Sequence, residues 1–290
     1  MPLQLQSPCK VNLLLNILGR RPDGFHALET VFLHVPLHDV LSMEAAPGGV
    51  ALSCNRADLP VDASNLVHRA ATRFMEASRL QVGVRIHLEK NIPLAAGLGG
   101  GSSNAAHTLL GLNQLFGNPL PPATLDALAA SLGSDVNFFL QDKPALATGR
   151  GERVEPLAPF GVLSGMAMLL YHPGFGISTA WAYRELARFP SALNGRPGRA
   201  RELASLLASG DLGGGMASLY NSLEAPALDK FPVLALYKEF LLARGAVGTL
   251  MSGSGSTTFA LFPDEDAARA AAVPFEEEFG KAGWLRVVTL

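Results

Sequence analysis

The sequence predicts an α+β fold, because strand-like and helix-like segments are mixed along the chain without the regular alternation of βαβ units. Strands are indicated by short or alternating apolar runs, and helices by apolar residues spaced three and four apart. Of the 290 residues, 48% are hydrophobic, which suffices for one large domain or two ordinary ones. We expect a boundary between residues 156 and 161, and therefore domains of residues 1–158 and 159–290.

In the first half of the chain, the apolar run 11–18 predicts a strand and RRPDGF after it a turn. Residues 29–46 predict a strand broken at Pro36, and residues 48–54 predict another strand. Helical spacing predicts a helix over 64–79, and the alternation from Val82 to Leu88 predicts a strand with that apolar set on one face. After the glycine-rich residues 93–104, one apolar stripe predicts a helix. A second helix follows over 121–133, with Pro at its start and Gly at its end.

In the second half, three segments have the composition of strands: 134–140, 144–157 and 165–173. Amphipathic helices are predicted over 178–189 and 201–209, separated by an exposed loop at 194–200, and over 232–245 with Gly245 as the stop. Residues 246–262 predict strand, tight turn and strand. The chain then continues with a helix over 264–280 and a strand over 284–290.

The distribution of charge argues against nucleic acid and membranes as partners. The net charge is -2, and Lys and Arg are scattered instead of forming a basic stripe. Two long uncharged stretches are broken by Pro and Gly before about 20 apolar residues accumulate, so neither is expected to span a bilayer. Cys9 and Cys54 have no CxxC spacing. Two lone thiols in a chain of this length are typical of a protein in a reducing compartment. With no signal peptide visible, we expect a soluble cytoplasmic protein and leave its oligomeric state open.

Residues 93–104, PLAAGLGGGSSN, predict an anion-binding loop that opens a helix. Glycines let the backbone turn sharply and let a ligand approach it, and a helix N-terminus attracts anions. Ser102 and Ser103 can cap the helix or offer hydroxyls to phosphate or a metal. The Walker pattern lacks its Lys and GxGxxG is not completed, so neither known nucleotide loop applies. A glycine-rich turn that only packs a helix against a strand is the alternative.

Two further positions carry chemistry. Lys10 and Asn12 alternate beside the apolar run, so both side chains are expected on one face of the strand, although the lysine can also extend to solvent. Asp135 follows Gly133 at the end of a predicted helix, where an aspartate is most often a turn or cap residue. Neither position defines a function alone.

Taken together, three segments in order resemble the three motifs of the GHMP small-molecule kinases: SPCKVNLLL, PLAAGLGGGSSNAA and LMSGSGSTTFALF. RRPDGFH, SNLVHRAA, LGSDVNFF and HPGFGISTAWAY extend the resemblance from about residue 7 to residue 262, nearly the whole chain. RRPDGFH followed by LETVF is similar to one branch of these kinases, whose substrate carries a cytidine diphosphate group.

The resemblance implies the two-domain GHMP kinase fold, with the active site in a cleft between the domains 1–158 and 159–290. It also implies phosphorylation of a hydroxyl by ATP with Mg²⁺, a reaction that needs placement and charge neutralisation more than covalent chemistry. Asp135 would be the general base, and Lys10, close to it, would keep that carboxylate ionised and stabilise developing charge. The positions that match nucleotide-binding residues of the family are Asn65, Lys90, Pro93, Leu94, Ala95, Ala96, Gly97, Leu98, Gly99, Gly100, Gly101, Ser102 and Ser103. No metal ligand is identified beyond the two serine hydroxyls.

For the substrate, the resemblance implies an aromatic sandwich and a histidine that read the base, here Phe25, Tyr183 and His26. Asn12 and Thr179 match polar substrate contacts. Position 25 is commonly Tyr in the family, so Phe25 keeps the stacking face and loses a hydroxyl. Position 9 is usually Ala, and Cys9 is slightly larger. Residues 252–256 of the third motif are expected to close the phosphate site, with a plain hairpin turn as the alternative.

Two other functions stay open from sequence. One is a GHMP kinase for mevalonate, homoserine or a sugar, against which RRPDGFH and the aromatic pair argue because those substrates have no base to stack. The other is a catalytically silent nucleotide-binding protein on the same fold, whose mark would be the loss of Lys10 or Asp135. Both residues are present.

Overall fold

The computed structural model describes residues 2–290, and these form two compact units built from separate stretches of chain. Unit 1 contains the described residues up to Cys9 together with Leu37–Ile92 and Gly99–Asp142. Unit 2 contains Lys10–Pro36, Pro93–Leu98 and Lys143–Leu290. The predicted domains 1–158 and 159–290 are each one continuous stretch of chain, unlike these two units, and that division stays a prediction.

Strands and helices are mixed along the chain, which confirms the predicted α+β class. The strands are β1 (Leu3–Arg20), β2 (His26–Ala46), β3 (Val50–Cys54), β4 (Gly83–Glu89), β5 (Ala145–Gly149), β6 (Arg153–Pro156), β7 (Ala167–His172), β8 (Tyr220–Asn221), β9 (Gly248–Met251), β10 (Thr258–Phe262) and β11 (Trp284–Thr289). The helices are α1 (Leu66–Ser78), α2 (Gly100–Leu115), α3 (Pro122–Leu132), α4 (Thr179–Glu185), α5 (Pro190–Leu193), α6 (Arg199–Ala208), α7 (Leu212–Ala217), α8 (Glu224–Lys230), α9 (Val233–Ala243) and α10 (Glu265–Phe279). No helix within residues 2–290 combines the length and apolar character needed to cross a membrane.

In unit 1, β4 pairs with β2 on one side, antiparallel, and with β3 on the other, parallel. Alternation places Val84, Ile86 and Leu88 of β4 in the core, as predicted, whereas Val82 lies before the strand and is 43% exposed. Helices α1, α2 and α3 pack on one another. Helix α2 begins at Gly100, within the glycine-rich residues 93–104.

In unit 2, the β5–β6 hairpin pairs with the beginning of β2, and the short β8 pairs with β1. A separate four-stranded sheet has the order β11-β7-β10-β9. An aromatic cluster of Tyr171, Tyr237 and Phe275 joins β7 to α9 and α10, and burial beside Tyr171 raises the pKa of Tyr237 to about 12. The turn between β9 and β10 carries the third glycine-rich motif.

Three local predictions were wrong. Pro36 does not break the strand, because β2 pairs with β5 only through Phe32 and with β4 only from Val40, so no ladder bond on that side needs its missing N–H. Residues 134–140 are not a strand: they form a turn and a 3₁₀ segment over Asn137–Leu140. The helix after the glycine loop begins at Gly100, inside the segment expected to be loop.

Candidate active site

Lys10 in unit 2 is buried and held by oxygens. Its side chain is 2% exposed, so it does not extend to solvent. Its ammonium donates to Asn12 Oδ1 at 2.6 Å and to the carbonyl of Gly97 at 3.2 Å, and lies 5.3 Å from the centre of the Phe32 ring. The predicted common face for Lys10 and Asn12 is therefore confirmed. A buried ammonium with hydrogen bonds and an aromatic face is a fixed charge beside the glycine loop.

The first half of the glycine loop, residues 93–98, packs against the turn of the third motif. Gly97 has φ of +78°, and a Cβ built there would lie 2.1 Å from the carbonyl oxygen of Ser252. The Ser252 hydroxyl donates to Gly97 O at 3.0 Å, and Thr257 N–H donates to Ala96 O at 3.2 Å. The third motif is thus a hairpin turn that also buttresses the loop.

The second half of the loop belongs to unit 1 and becomes the first turn of α2. Gly99 is the N-cap, with φ of +68°, and has no side chain to accept from the first N–H groups. Of the two roles expected for Ser102 and Ser103, capping of this helix is excluded, since both lie within its first turns. Ser103 is fully buried with its hydroxyl 2.7 Å from that of Ser7, whereas Ser102 is half-buried.

Sequence reasoning missed Asp39, which ties together the two ends of the glycine loop. This carboxylate is fully buried and forms an ion pair with Lys90, itself buried. It also accepts from the N–H groups of Asn91 and Ile92, at 2.7 and 2.8 Å, and from Asn104 Nδ2 at 2.9 Å. Ile92 precedes the loop and Asn104 follows it. The available signal was an acidic residue, Asp39, directly before the apolar pair Val40 and Leu41 of β2.

The remaining predicted residues of unit 1 lie at element ends. Asn65 caps α1, accepting from Val67 N–H at 2.9 Å and donating to Pro60 O at 2.7 Å. The side chain of Lys90 packs against the start of α2, since a Cβ built on Gly100 would be 2.8 Å from its ammonium nitrogen. Asp135 lies half-buried in the turn between α3 and the 3₁₀ segment. Its assignment as a base stays a prediction.

The turn RRPDGF presents an exposed aromatic ring. Asp23 accepts from Arg21 at 2.7 Å and from Phe25 N–H at 3.1 Å, and the hydrogen bond from Arg21 holds the pKa of Asp23 below its usual value. Phe25 is 52% exposed, and the guanidinium carbon of Arg150 lies 4.6 Å from the centre of its ring. The turn is therefore braced so that one large ring stays at the surface, with a cation on it.

The other predicted substrate residues are also found in unit 2. The rings of His26 and Tyr183 lie 5.0 Å apart, tilted by 32°. Burial, together with the charge of Arg20, lowers the pKa of His26, which keeps its imidazole neutral at pH 7. The hydroxyl of Thr179, at the start of α4, is 2.9 Å from that of Ser254 in the third motif. The ring of Tyr183 and a neutral imidazole thus lie together, and the hydroxyls of Thr179 and Ser254 meet at the motif turn.

Comparison with known proteins defines the class first. The family described as GHMP kinases N terminal domain matches residues 65–147, and GHMP kinases C terminal matches residues 191–281. The fold is similar to that of a homoserine kinase from Cytophaga hutchinsonii, with a TM-score of 0.73 over 99% of this chain and 93% of that one, at 20% identity. The chain belongs to the GHMP kinases, a class of small-molecule kinases, and has their fold.

Two further comparisons define a particular family within this class. A 4-diphosphocytidyl-2-C-methyl-D-erythritol kinase from Pelotomaculum thermopropionicum is 43% identical over 92% of this chain and 91% of its own. The crystal structure of a 4-(cytidine 5'-diphospho)-2C-methyl-D-erythritol kinase superposes with a TM-score of 0.82 at 37% identity, covering 99% of this chain and all of that one. The chain belongs to the 4-diphosphocytidyl-2-C-methyl-D-erythritol kinase family, as the motifs predicted.

Proposed function

We propose that the protein transfers a phosphoryl group from ATP to a hydroxyl of 4-diphosphocytidyl-2-C-methyl-D-erythritol, giving the 2-phosphate and ADP, in non-mevalonate isoprenoid precursor biosynthesis. The observation that carries the proposal is the buried ammonium of Lys10, held against the carbonyl of Gly97 in the glycine loop. A neutral loop of this kind has no charge of its own to set against phosphate oxygens. Lys10 supplies that charge from the first strand.

The loop suits the triphosphate of ATP. Gly99 is half-buried and Gly101 is exposed, and the loop runs into a helix whose first N–H groups have no capping side chain on Gly99. Of the two serine hydroxyls we assign Ser102 to the nucleotide and its metal, because the hydroxyl of Ser103 is already paired with Ser7. Magnesium, when bound with the nucleotide, would neutralise phosphate charge with few protein ligands, as it commonly does. The Asp39–Lys90 pair holds both ends of the loop in place.

Asp135 and Lys10 divide the chemistry between them. The carboxylate of Asp135 accepts the proton of the attacking hydroxyl. The ammonium of Lys10 offsets charge that develops on the transferred group. Asn12 orients the ammonium through its 2.6 Å hydrogen bond. Little covalent work is asked of the protein, as expected for phosphoryl transfer.

The cytidine group binds at the turn RRPDGF. A flat base stacks on the rings of Phe25 and Tyr183, and the neutral imidazole of His26 hydrogen-bonds to its edge. Thr179 contacts the substrate next to the third motif. The protein works in the cytoplasm in this proposal, in keeping with two cysteines that form no disulfide, one of them buried.

The other small alcohols are less well matched. Homoserine and mevalonate kinases share the fold at 20% and 15% identity, a likeness that carries no substrate information. Neither substrate has a base for an exposed Phe25 to stack on. The presence of Lys10 in a built pocket of oxygens argues against a silent nucleotide binder.

A coupled ADP-release assay tests the proposal. The enzyme is given ATP and Mg²⁺ with 4-diphosphocytidyl-2-C-methyl-D-erythritol, with the same erythritol phosphate lacking the cytidylyl group, with mevalonate and with homoserine. We expect turnover with the first compound alone and a phosphomonoester product by ³¹P NMR. Turnover with homoserine or mevalonate, or none with the cytidylylated compound while ATP still binds, would contradict the proposal.

A further inference from the structure

We infer that Asn221 is a positioning residue that sets the turn of the third motif against Lys10 and the glycine loop. The inference rests on the proposed function, because it gives that turn a part in nucleotide binding. Asn221 lies in β8, in the segment LYNSLE, outside the sequence motifs that resemble those of the kinases. It concerns unit 2 alone.

The side chain of Asn221 has its hydrogen-bonding groups committed to backbone. It is 3% exposed. Its Nδ2 donates to the carbonyl of Met251 at 2.7 Å and to that of Gly253 at 2.8 Å, and its Oδ1 accepts from Leu223 N–H at 2.9 Å. The two donated bonds reach carbonyls on either side of Ser252, so one amide fixes the path of the chain as it leaves β9.

Asn221 itself is registered on the strand that carries Lys10. It is the partner of Leu15 in the parallel pairing of β8 with β1. The next residue strengthens this register, since Ser222 N–H donates to Leu15 O at 2.8 Å and the Ser222 hydroxyl accepts from Ile17 N–H at 2.9 Å. The amide of Asn221 therefore starts from a position that is fixed relative to β1.

The far end of the same connection returns to Lys10. A Cβ built on Gly253 would lie 2.9 Å from the carbonyl oxygen of Gly97 and 3.4 Å from the ammonium nitrogen of Lys10. The two residues whose carbonyls Asn221 holds thus flank the Ser252 that bonds to the loop. Asn221 therefore connects β1, through the pairing with β8, to the motif turn, and that turn in turn packs beside Lys10 of β1.

A second contact from the same segment holds the start of the turn. Glu224 Oε1 accepts from Met251 N–H at 2.8 Å, and the carboxylate is paired with Lys238 at 2.6 Å. Met251 is therefore held at both its N–H and its carbonyl by residues of one short segment. If the amide of Asn221 is lost, Glu224 still accepts from the N–H of Met251, but the carbonyls of Met251 and Gly253 lose the hydrogen bonds that Asn221 donates.

The test compares Asn221→Asp with Asn113→Asp. Asn113 is matched: it is 7% exposed, donates to Leu120 O and Asn118 Oδ1 at 3.1 and 3.4 Å, and accepts from Leu120 N–H at 3.0 Å, but it lies at the end of α2 outside the proposed site. Each change keeps the accepted bond and removes the donated ones. ATP affinity is measured by isothermal titration calorimetry, and kcat and KM for ATP are measured per folded enzyme.

We expect Asn221→Asp to lower kcat/KM for ATP on the order of 100-fold, the effect of a misplacement of about 1 Å. We expect Asn113→Asp to leave it near the wild-type value. The deficit of Asn221→Asp should shrink as pH is lowered, because a carboxyl that faces two carbonyls is protonated more easily and can then donate one bond. A merely structural role would not give this pH dependence in constants corrected for folded enzyme.

Wild-type constants in Asn221→Asp, or equal losses in both variants, would overturn the inference. If Asn221→Asp does not fold, Asn221→Ser, which keeps one donor, should show a smaller loss in ATP affinity, and an unchanged affinity would overturn the inference as well. Failure of the proposed function is seen separately: wild-type enzyme that binds ATP but does not turn over the cytidylylated substrate. In that case, calorimetry with ATP still decides on Asn221.

Discussion

Gly97→Ala is expected to damage activity far more than stability. Position 97 has φ of +78°, and an added methyl carbon would lie 2.1 Å from the carbonyl oxygen of Ser252 and 3.1 Å from the nitrogen of Gly255. Ordinary contact begins at 3.4 Å, so the loop and the motif turn must separate by about 1.3 Å. The left-handed backbone alone costs an alanine about 1–2 kcal/mol. The separation moves the Gly97 carbonyl that Lys10 holds, and a shift of about 1 Å at such a site can cost on the order of 100-fold in rate.

The control for this variant is Gly117→Ala. Gly117 has the same φ of +78°, but a Cβ there meets nothing within 4 Å. Both variants should lose a similar amount of stability from the backbone term, measured by urea unfolding. The ADP-release assay should then show a large drop in kcat/KM for Gly97→Ala and wild-type constants for Gly117→Ala. Equal kinetic constants in the two variants would refute the view that the loop and the third motif must meet at this distance.

Three further predictions concern charge, pH and stacking. Asp39→Asn leaves Lys90 buried without its counter-ion and should lower the free energy of unfolding by about 3–5 kcal/mol in urea titrations. The control Asp58→Asn, at an exposed ion pair, should change the free energy of unfolding little. Similar losses in the two variants would contradict the role of burial. Burial lowers the pKa of His172, so the unfolded chain takes up a proton more readily than the folded protein does, and the free energy of unfolding should fall as pH drops below about 6.5. His172→Gln should make the free energy of unfolding depend less on pH, and an unchanged pH dependence would contradict this prediction. Phe25→Ala should raise KM for the cytidylylated substrate by roughly 5- to 150-fold, the value of about 1–3 kcal/mol for base stacking, and leave KM for ATP unchanged; a larger effect on ATP would rule out the base-stacking role.

Local periodicity predicted the parts of the site that depend on one element. Alternation along β1 placed Lys10 and Asn12 on one face, and the 2.6 Å bond between them confirms it. The glycine-rich composition predicted a loop that opens a helix, and Gly99 is the N-cap of α2. From sequence, Ser102 and Ser103 could either cap the helix, as hydroxyls commonly do, or offer hydroxyls to phosphate or a metal. The glycine took the position instead, since the cap needs a φ of +68°.

Long-range connections could not be predicted in this way. Asp39 appears in the sequence as one acidic residue in a strand, and its partners lie far along the chain, from Lys90 to Asn104. Asn221 likewise gains its meaning from carbonyls at 251 and 253, which only the folded chain brings to it. Residues 134–140 were predicted to be a strand because short apolar runs do not distinguish a strand from a helical turn.

The most direct measurement of the central claim is kcat for Asp135→Asn, Lys10→Ala and the double variant in the ADP-release assay with the cytidylylated substrate. The control is Asp142→Asn, at an exposed aspartate further along the chain. Each single change should lower kcat by on the order of 10³-fold. The double change should cost little more than the worse single one, because the proposed mechanism assigns both groups to one chemical step. Turnover that survives in Asp135→Asn, or losses that multiply in the double variant, would contradict the account.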